Sequence, residues 1–277
     1  MGQWAAVEAI DGDGERPPPE FGHETPLAEQ AARLCYVLGR LDFSGKKVLD
    51  CGCGAGSSLA FILSDTPSAR CVGIDLDKDA IARARIRYPS LDLRVMDGLA
   101  LNFESASFDI VLSFEVLEHL NDDQQRRYIS ETHRVLKDGG TLALSTPNKN
   151  VFSLGRPISL NLDHVRELTL GQLIDLIGEK YGSIDVYGQY FHDSRLRGRD
   201  LAYLKAQFRP VKRLKRRIVR SVRSFAIGAR LHDAYEAHKR KLGGASGLYP
   251  ITITADDFSF DRQRLDVAKW FLCLCQK

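Results

Sequence analysis

The stretch VLDCGCGAG, residues 48–56, decides the fold. A short apolar run leads into Asp50, and glycines then occupy every second position. Glycine lets a turn adopt strained dihedral angles and lets a ligand approach the backbone closely, and the predicted helix that follows offers free N–H groups. A dinucleotide-binding fingerprint would place its third glycine at position 57, which is Ser57. The stretch therefore predicts a strand-to-helix turn that binds a nucleoside-sized ligand rather than a pyrophosphate.

Strand and helix patterns alternate on both sides of this turn. Apolar runs predict strands at 47–50, 71–74, 91–95, 108–113, 141–145, 184–190 and 270–275, and helical periodicity predicts helices at 26–41, 57–63, 80–87, 124–136 and 168–177. Such alternation is typical of an α/β fold with a parallel sheet covered on both faces. We expect a flexible arm at 1–25, a main domain at 26–191 and 269–277, and an insertion at 192–268, since eighty residues are too many for a plain connection.

Carboxylates follow the next two predicted strands. Asp75 ends the second strand, and Asp97 comes directly after the third. The carboxyl ends of parallel strands meet at one edge of a sheet, so both side chains are expected to line the same crevice as the glycine turn. A carboxylate at the second strand can accept both ribose hydroxyls, and the one at the third can accept from an adenine amino group. Each aspartate alone is about equally well explained as a turn former.

Five stretches in this order resemble the class I S-adenosylmethionine (SAM)-dependent methyltransferases. Besides residues 48–56 they are VGIDLD (72–77), MDG (96–98), FDIVLSFEVLEHL (108–120) and VLKDGGTLALSTPN (135–148). The chain is similar to the small-molecule branch, including ubiquinone-pathway O-methyltransferases and glycan-associated methyltransferases. The resemblance implies a Rossmann-like seven-stranded sheet, mostly parallel with an antiparallel last strand, and SAM as the cofactor. It implies SAM contacts at Asp50, Gly52, Gly54, Asp75, Asp97, Ser113 and Phe114.

A weaker similarity precedes the glycine turn. EQAAR, residues 29–33, resembles a Glu-His-x-x-Arg-Tyr pattern of relatives associated with saccharide pathways, although the histidine is Gln30 here and the tyrosine is Leu34. In related enzymes a basic residue on this helix can pair with the methionyl carboxylate of SAM. Arg33 is therefore a candidate SAM contact, with an exposed helix arginine as the alternative.

Two histidines are candidates for the base that removes a proton from the methyl acceptor. His119 follows the fourth strand, and His164 precedes the helix that leads to the sixth. An imidazole titrates near neutral pH and suits general-base work on a hydroxyl. The alternative for His164 is a helix-start histidine satisfied by the backbone.

A Glu-x-x-Glu-His pattern also lies after the fourth strand. In ubiquinone-pathway relatives this pattern can hold a divalent cation, which implies Glu115, Glu118 and His119 as ligands of Mg²⁺. The alternative is a helix N-terminal turn in which the two glutamates favour the helix dipole.

The expected insertion carries a basic amphipathic helix at 210–231. Residues 201–232 contain ten Lys or Arg and no Asp or Glu. The helix could lie on an anionic membrane near a lipid-linked substrate, bind nucleic acid, or pack on the main domain as a lid. Nucleic acid is disfavoured, because enzymes that methylate exocyclic base amines usually carry a Pro-Pro-aromatic loop where this chain has Ser113-Phe114-Glu115.

These patterns favour O-methylation of a small-molecule, saccharide or lipid-linked acceptor. The alternatives are an RNA or protein methyltransferase that uses the basic helix for its partner, and a non-catalytic SAM-binding regulator. The sequence has neither an apolar run long enough to span a bilayer nor a signal-like start, so we expect a cytoplasmic protein, peripheral to the membrane if the basic helix lies on it. The oligomeric state is left open.

Overall fold

A computed structural model of the chain describes residues 25–191, except 156–158, 160 and 162, and residues 258–277. Contacts divide the chain into two compact units, Met1–Tyr190 with Ile253–Lys277, and Phe191–Thr252. The second unit, apart from Phe191, lies outside the described residues. The expected arm and the basic helix at 210–231 also lie outside them.

The first unit is built on a mixed sheet of eight strands. They are β1 (Lys47–Cys51), β2 (Arg70–Asp75), β3 (Asp92–Val95), β4 (Phe108–Phe114), β5 (Leu136–Pro147), β6 (Ser183–Phe191), β7 (Phe258–Asp261) and β8 (Trp270–Gln276). Their order across the sheet is β3-β2-β1-β4-β5-β8-β6-β7. The first five strands pair in parallel, and β8 is antiparallel to both β5 and β6. The expected α/β fold with an antiparallel C-terminal strand is thus confirmed.

Six helices accompany the strands in the described residues. They are α1 (Thr25–Leu38), α2 (Ser57–Asp65), α3 (Lys78–Arg87), α4 (Asp122–Val135), α5 (Lys149–Phe152) and α6 (Leu170–Gly178). Helix α4 begins at a capping box between Asn121 and Gln124, and α6 at one between Thr169 and Gln172. Each cap satisfies backbone N–H groups that a helix start leaves unpaired, and contributes about 1 kcal/mol to stability.

The sheet separates two hydrophobic cores because successive side chains of a strand face opposite ways. On β1, Val48 packs into the core that contains residues of α1, α2 and α3, whereas Leu49 packs into the core formed with α4 and α6. Both side chains are fully buried. The short apolar run before the glycine turn is therefore a central strand buried on both faces, which fixes the turn at the carboxyl edge of the sheet.

The edge strand β7 was not predicted. Its four residues fall within the expected insertion at 192–268 and show no extended apolar run. The ring of Phe260 packs 4.2 Å, centroid to centroid, from Tyr36 of α1. This contact joins residues more than two hundred positions apart, so no local pattern could reveal it. The sheet consequently has eight strands instead of the expected seven. None of the helices in the described part of the chain is long and apolar enough to cross a membrane.

Candidate functional site

The turn between β1 and α2 is held in a conformation that requires glycine. Gly52, Gly54 and Gly56 have φ angles of 84°, 50° and 78°. This left-handed region is costly for residues with a Cβ atom. The backbone N–H groups of Gly52 and Cys53 donate to the Ile74 carbonyl oxygen at 2.8 and 3.0 Å. The turn is thus fixed against the end of β2, with Gly52 exposed to solvent.

Two aspartates stand at the neighbouring strand ends, as the sequence predicts. Asp75 is the last residue of β2, and its Oδ2 accepts a hydrogen bond of 2.8 Å from the Gly54 N–H. Its Oδ1 accepts from the Asp77 N–H at 2.9 Å. Asp97 follows β3, is exposed, and accepts from the Leu99 N–H at 2.8 Å. Parallel pairing of β1, β2 and β3 places both carboxylates at the same edge as the glycine turn.

Asp50 lies in β1, just before the glycine turn, and its carboxylate is buried. The residue is 3% exposed. Burial, reinforced by the neighbouring Asp75 charge, raises the pKa of Asp50 to about 7, and no hydrogen bond from a described residue offsets this. A buried carboxylate without a partner is unfavourable when ionised. A cationic group of a ligand placed against Asp50 would therefore favour its ionised form.

The end of β4 forms the other side of the crevice. Ser113 is fully buried, and its Oγ accepts a 2.7 Å hydrogen bond from the Tyr128 hydroxyl of α4. Phe114 is half-buried and ends the strand. Glu115 then adopts a φ of 60°, which turns the chain sharply. A Cβ atom on Gly52 would lie only 2.6 Å from Cγ2 of Val116, so the segment after β4 rests directly on the glycine turn.

Arg33 of α1 is buried rather than exposed. It is 1% exposed, and its Nη1 donates to Glu115 Oε1 at 2.6 Å and to Ser145 Oγ at 2.9 Å. Its guanidinium carbon also lies 5.1 Å from the centre of the Trp270 ring. The exposed-arginine alternative is therefore wrong. Arg33 neutralises Glu115 in this structure, so a SAM carboxylate would share it with that side chain.

His164 forms a dyad with Glu167. Glu167 is 3% exposed, and its Oε1 lies 2.8 Å from Nδ1 of His164. The hydroxyls of Ser153 and Ser159 also donate to this carboxylate. Burial alone would raise the pKa of Glu167, but the hydrogen bonds from His164, Ser153 and Ser159 outweigh it and hold that pKa below its usual value. An ionised Glu167 can accept the Nδ1 proton of His164, and a neutral ring in that tautomer would carry its lone pair on Nε2.

The two candidate histidines lie next to each other. The rings of His119 and His164 are perpendicular, with their centroids 5.4 Å apart. The N–H groups of Val165 and Arg166 donate to the Glu118 carbonyl oxygen at 2.7 and 3.1 Å, which ties the two histidine segments together. Since Val116 rests on Gly52, these segments bring both imidazoles to the same edge of the sheet as the glycine turn.

The ligand set expected for Mg²⁺ is not brought together. Among the described residues, the group whose donor atoms all lie within 4.8 Å of one another is Glu118, His119 and His164. Glu115 is outside it, because its carboxylate is engaged by Arg33 and Ser145. Mg²⁺ prefers oxygen ligands in octahedral geometry, and two imidazoles with one carboxylate do not provide them. The residues present do not fit that ion.

Sequence reasoning missed Glu167, Ser153 and Tyr128. Glu167 stands three residues after His164, a spacing that could have suggested the dyad. Ser153 directly follows the short helix α5 and donates to Glu167, and Tyr128 of α4 donates to Ser113. No local sequence pattern predicts either contact.

The sequence and the fold both have known relatives. The family model of a methyltransferase domain matches residues 48–140. A protein of Mycolicibacterium smegmatis named "probable S-adenosylmethionine-dependent methyltransferase" is 41% identical over 134 residues, 48% of this chain and 51% of that protein. A ubiquinone biosynthesis O-methyltransferase of Xanthomonas oryzae is 38% identical over 138 residues, 46% of this chain and 54% of that protein. The chain thus spans about half the length of the curated relatives it matches.

A solved structure supports the architecture. A SAM-dependent methyltransferase from Archaeoglobus fulgidus aligns over 90% of this chain and 94% of its own, with a TM-score of 0.54 at 12% identity. At that identity the likeness concerns the fold alone. Residues 48–140 thus match the family model of a methyltransferase domain, and the sheet has the fold of the solved methyltransferase structure.

Proposed function

We propose that this chain transfers the methyl group of SAM to a hydroxyl of a small-molecule, saccharide or lipid-linked acceptor. The observation that carries the proposal is the dyad of His164 with the buried Glu167, in a segment hydrogen-bonded to the turn that follows β4. A carboxylate held ionised on Nδ1 orients the ring and stabilises the imidazolium that forms when Nε2 takes a proton. A bystander histidine would not need a buried ionised partner with two further donors, Ser153 and Ser159.

The cofactor would lie along the carboxyl edge of the sheet. Asp75 would accept from the ribose hydroxyls, Asp97 from the adenine amino group, and Asp50 would face the cationic part of the ligand. Gly52 and Gly54 would let it approach the backbone, while Ser113 and Phe114 would close the opposite side. When bound, SAM supplies a methyl group on a positively charged sulfur, which is transferred in line to a nucleophile.

The proton of the acceptor would leave through His164. As the acceptor oxygen bonds to the methyl carbon, the carbon–sulfur bond breaks and the hydroxyl proton moves to Nε2 of His164. Glu167 acts as a positioning residue that keeps the Nδ1 proton in place. His119, whose Nδ1–H donates to the Asp163 carbonyl oxygen at 3.0 Å and whose ring lies beside that of His164, would bind the acceptor or share the proton. Such base catalysis contributes about 10²- to 10⁴-fold to the rate.

The surroundings of the dyad favour an acceptor with an apolar or planar body. The ring of Phe152 stacks on His164, with centroids 5.4 Å apart and an interplanar angle of 28°. Val165 is 62% exposed beside it. The name of the Xanthomonas relative, a ubiquinone biosynthesis O-methyltransferase, agrees with an acceptor of this kind and with O-methylation. Contact of residues 210–231 with an anionic membrane is a further part of the proposal, supported by their basic composition.

The test is a labelled-SAM transfer screen against lipid, saccharide, RNA and protein fractions, followed by variants. With the acceptor so found, His164→Gln should lower kcat by about 10²- to 10⁴-fold while SAM affinity stays unchanged. Glu167→Gln should lower kcat less and shift the pH profile of kcat, an effect that a purely structural role would not produce. His133→Gln is the matched control, because this histidine packs on Tyr181 away from the site. Transfer confined to RNA or protein, or full activity in His164→Gln, would contradict the proposal.

Membrane contact has a separate test. The full chain should float with vesicles that contain anionic lipid at low salt and dissociate at high salt, because the attraction is electrostatic. Salt-insensitive binding, or none, would remove the lipid surface from the proposal and leave the methyl transfer untouched.

A further inference from the structure

We propose that Gln125 of α4 is a positioning residue for methyl transfer. Its side chain joins the 3₁₀ turn Leu117–His119, which carries one candidate histidine, to residues 163–167, which carry the other. We call the contact between this turn and residues 163–167 the histidine junction. The proposal rests on the proposed function, because Gln125 would act on the acceptor through the dyad of His164 and Glu167.

Gln125 occupies a position where an apolar side chain is expected. The buried face of α4 recurs at helical spacing and consists of Gln125, Tyr128, Ile129, Thr132 and Val135. Gln125 is fully buried at the start of this stripe. An amide there loses its hydrating water, a cost that hydrogen bonds have to offset, whereas an apolar side chain would pack without that requirement. The hydrogen bonds of the amide, rather than packing, therefore explain a glutamine at this position.

Those hydrogen bonds all go to the histidine junction. Nε2 of Gln125 donates to the Leu117 carbonyl oxygen at 2.8 Å and to the Arg166 carbonyl oxygen at 3.0 Å. Its Oε1 accepts from the guanidinium of Arg166. A carbonyl oxygen can only accept, so the amide is oriented with its two donors toward the two backbones. One side chain thus links the turn that carries His119 to the segment that carries His164.

The anchor of this link is the first turn of α4. The N–H groups of Val165 and Arg166 donate to the Glu118 carbonyl oxygen, so the two segments also contact each other directly. Arg166 makes a second contact with α4, because its Nη2 lies 3.0 Å from Oδ1 of Asp122. Gln125 and Asp122 therefore fix residues 163–167 to a helix that is packed on the sheet.

The dyad itself is assembled by other residues. Ser153 and Ser159 donate to Glu167, which also contacts Nδ1 of His164. Without Gln125 the dyad should stay intact but take a less defined position relative to the end of β4, where the cofactor would lie. A misplacement of about 1 Å at a reacting group can cost about 10²-fold in rate. We therefore expect loss of Gln125 to lower kcat and to leave SAM affinity unchanged.

Amide hydrogen exchange of the full chain, without SAM or acceptor, tests the junction apart from catalysis. Gln125→Met keeps a side chain of similar length and removes its hydrogen bonds. The N–H groups of Val165 and Arg166 should then exchange more than about ten-fold faster, because the junction opens more often. Gln124→Met is the matched control. It removes a capping contact from the same helix start without touching the junction, and should leave the exchange of both N–H groups unchanged.

The transfer assay then tests positioning, with active chains counted by SAM binding so that a loss of folded protein does not register. Gln125→Met should lower kcat by about ten- to one hundred-fold at unchanged SAM affinity, and Gln124→Met should not lower it. Arg166→Met should also lower kcat, since it removes the donor to Oε1 of Gln125. The double variant should match the slower single variant, because both changes break one link.

The outcomes separate the possible roles. Unchanged exchange of the two N–H groups in Gln125→Met would overturn the link, and faster exchange with unchanged kcat would overturn the positioning role. An equal loss of kcat in Gln124→Met would assign the effect to the stability of α4. If Gln125→Met does not fold, Arg166→Met carries both measurements, because its side chain is 30% exposed. Failure of the proposed function would appear as no turnover by the wild type, with the exchange response intact.

Discussion

The sharpest prediction concerns the coupling of SAM binding to the protonation of Asp50. With its pKa raised to about 7 by burial and by the Asp75 charge, Asp50 is mostly protonated at pH 6 in the free protein. SAM carries a positively charged sulfur, so a ligand placed against Asp50 favours the ionised form. Binding at pH 6 must then expel a proton, and binding at pH 8 need not.

The magnitude is set by the pKa. If only the ionised form binds, the apparent affinity falls by the fraction ionised, which is about one in eleven at pH 6 and nearly complete at pH 8. SAM should therefore bind about ten-fold more tightly at pH 8 than at pH 6. At pH 7 about half a proton should be released per SAM bound. The thiols of Cys51 and Cys53 and the hydroxyl of Tyr128 do not titrate in this range, since burial raises their pKa values as well.

Calorimetry in two buffers of different ionisation enthalpy counts the released protons directly. Asp50→Asn is the control, because it removes this titration and leaves that of the SAM amino group. A pH-independent affinity in the wild type, or the same pH slope in Asp50→Asn, would refute the reasoning. The free protein gives a second check: an acid whose folded pKa lies above its unfolded value stabilises the fold below pH 4, and this contribution is lost as pH rises toward 7.

Three further predictions test contacts of the site. Gly52→Ala should lower the free energy of unfolding, measured in urea, by about 1–3 kcal/mol, because the φ of 84° is strained for alanine and the new Cβ atom clashes with Val116. Adding Val116→Ala should remove the clash and leave the backbone strain, so the double variant should recover only part of the lost stability. Full recovery, or none, would contradict this separation into strain and clash. Tyr128→Phe should cost about 1–2 kcal/mol in the same assay, since Ser113 loses its buried donor, and an unchanged midpoint would mean that the hydrogen bond adds nothing. Glu115→Gln should free Arg33 from its carboxylate partner. The ratio of the affinity for SAM to the affinity for decarboxylated SAM should then rise by about ten-fold, because Arg33 can pair with the methionyl carboxylate. An unchanged ratio would mean that Arg33 does not contact that carboxylate.

The sequence was sufficient to predict those site residues whose positions follow from the order of the strands alone. Asp50, Asp75 and Asp97 follow three apolar runs, and parallel pairing necessarily puts the ends of such runs at one edge. The glycine turn was predictable for the same reason, because positive φ angles demand glycine at those positions. These inferences need only local patterns and the topology that the patterns imply.

The sequence could not predict contacts between segments that are far apart along the chain. The partner of Arg33 is Glu115, eighty-two positions away, and nothing in either segment marks the pairing. The Mg²⁺ expectation treated Glu115 and Glu118 as equivalent because they share a motif. Their different partners depend on α1, which supplies Arg33 to Glu115, and on residues 165 and 166, which hydrogen-bond to the Glu118 backbone. The pairing of β7 depends in the same way on distant α1 side chains.

The separation of the two glutamates has a physical cause in the backbone. Glu115 adopts a φ of 60°, a conformation that costs a residue with a Cβ atom about 1–2 kcal/mol. Its charged hydrogen bond to the buried Arg33 offsets that cost and keeps the carboxylate on the α1 side. Glu118, in the 3₁₀ turn after it, is then left among the histidines without a cation of its own. Arg33 pairs with Glu115, so burial and the Glu115 charge raise the pKa of Glu118, and the strained residue at position 115 is what separates the two acids.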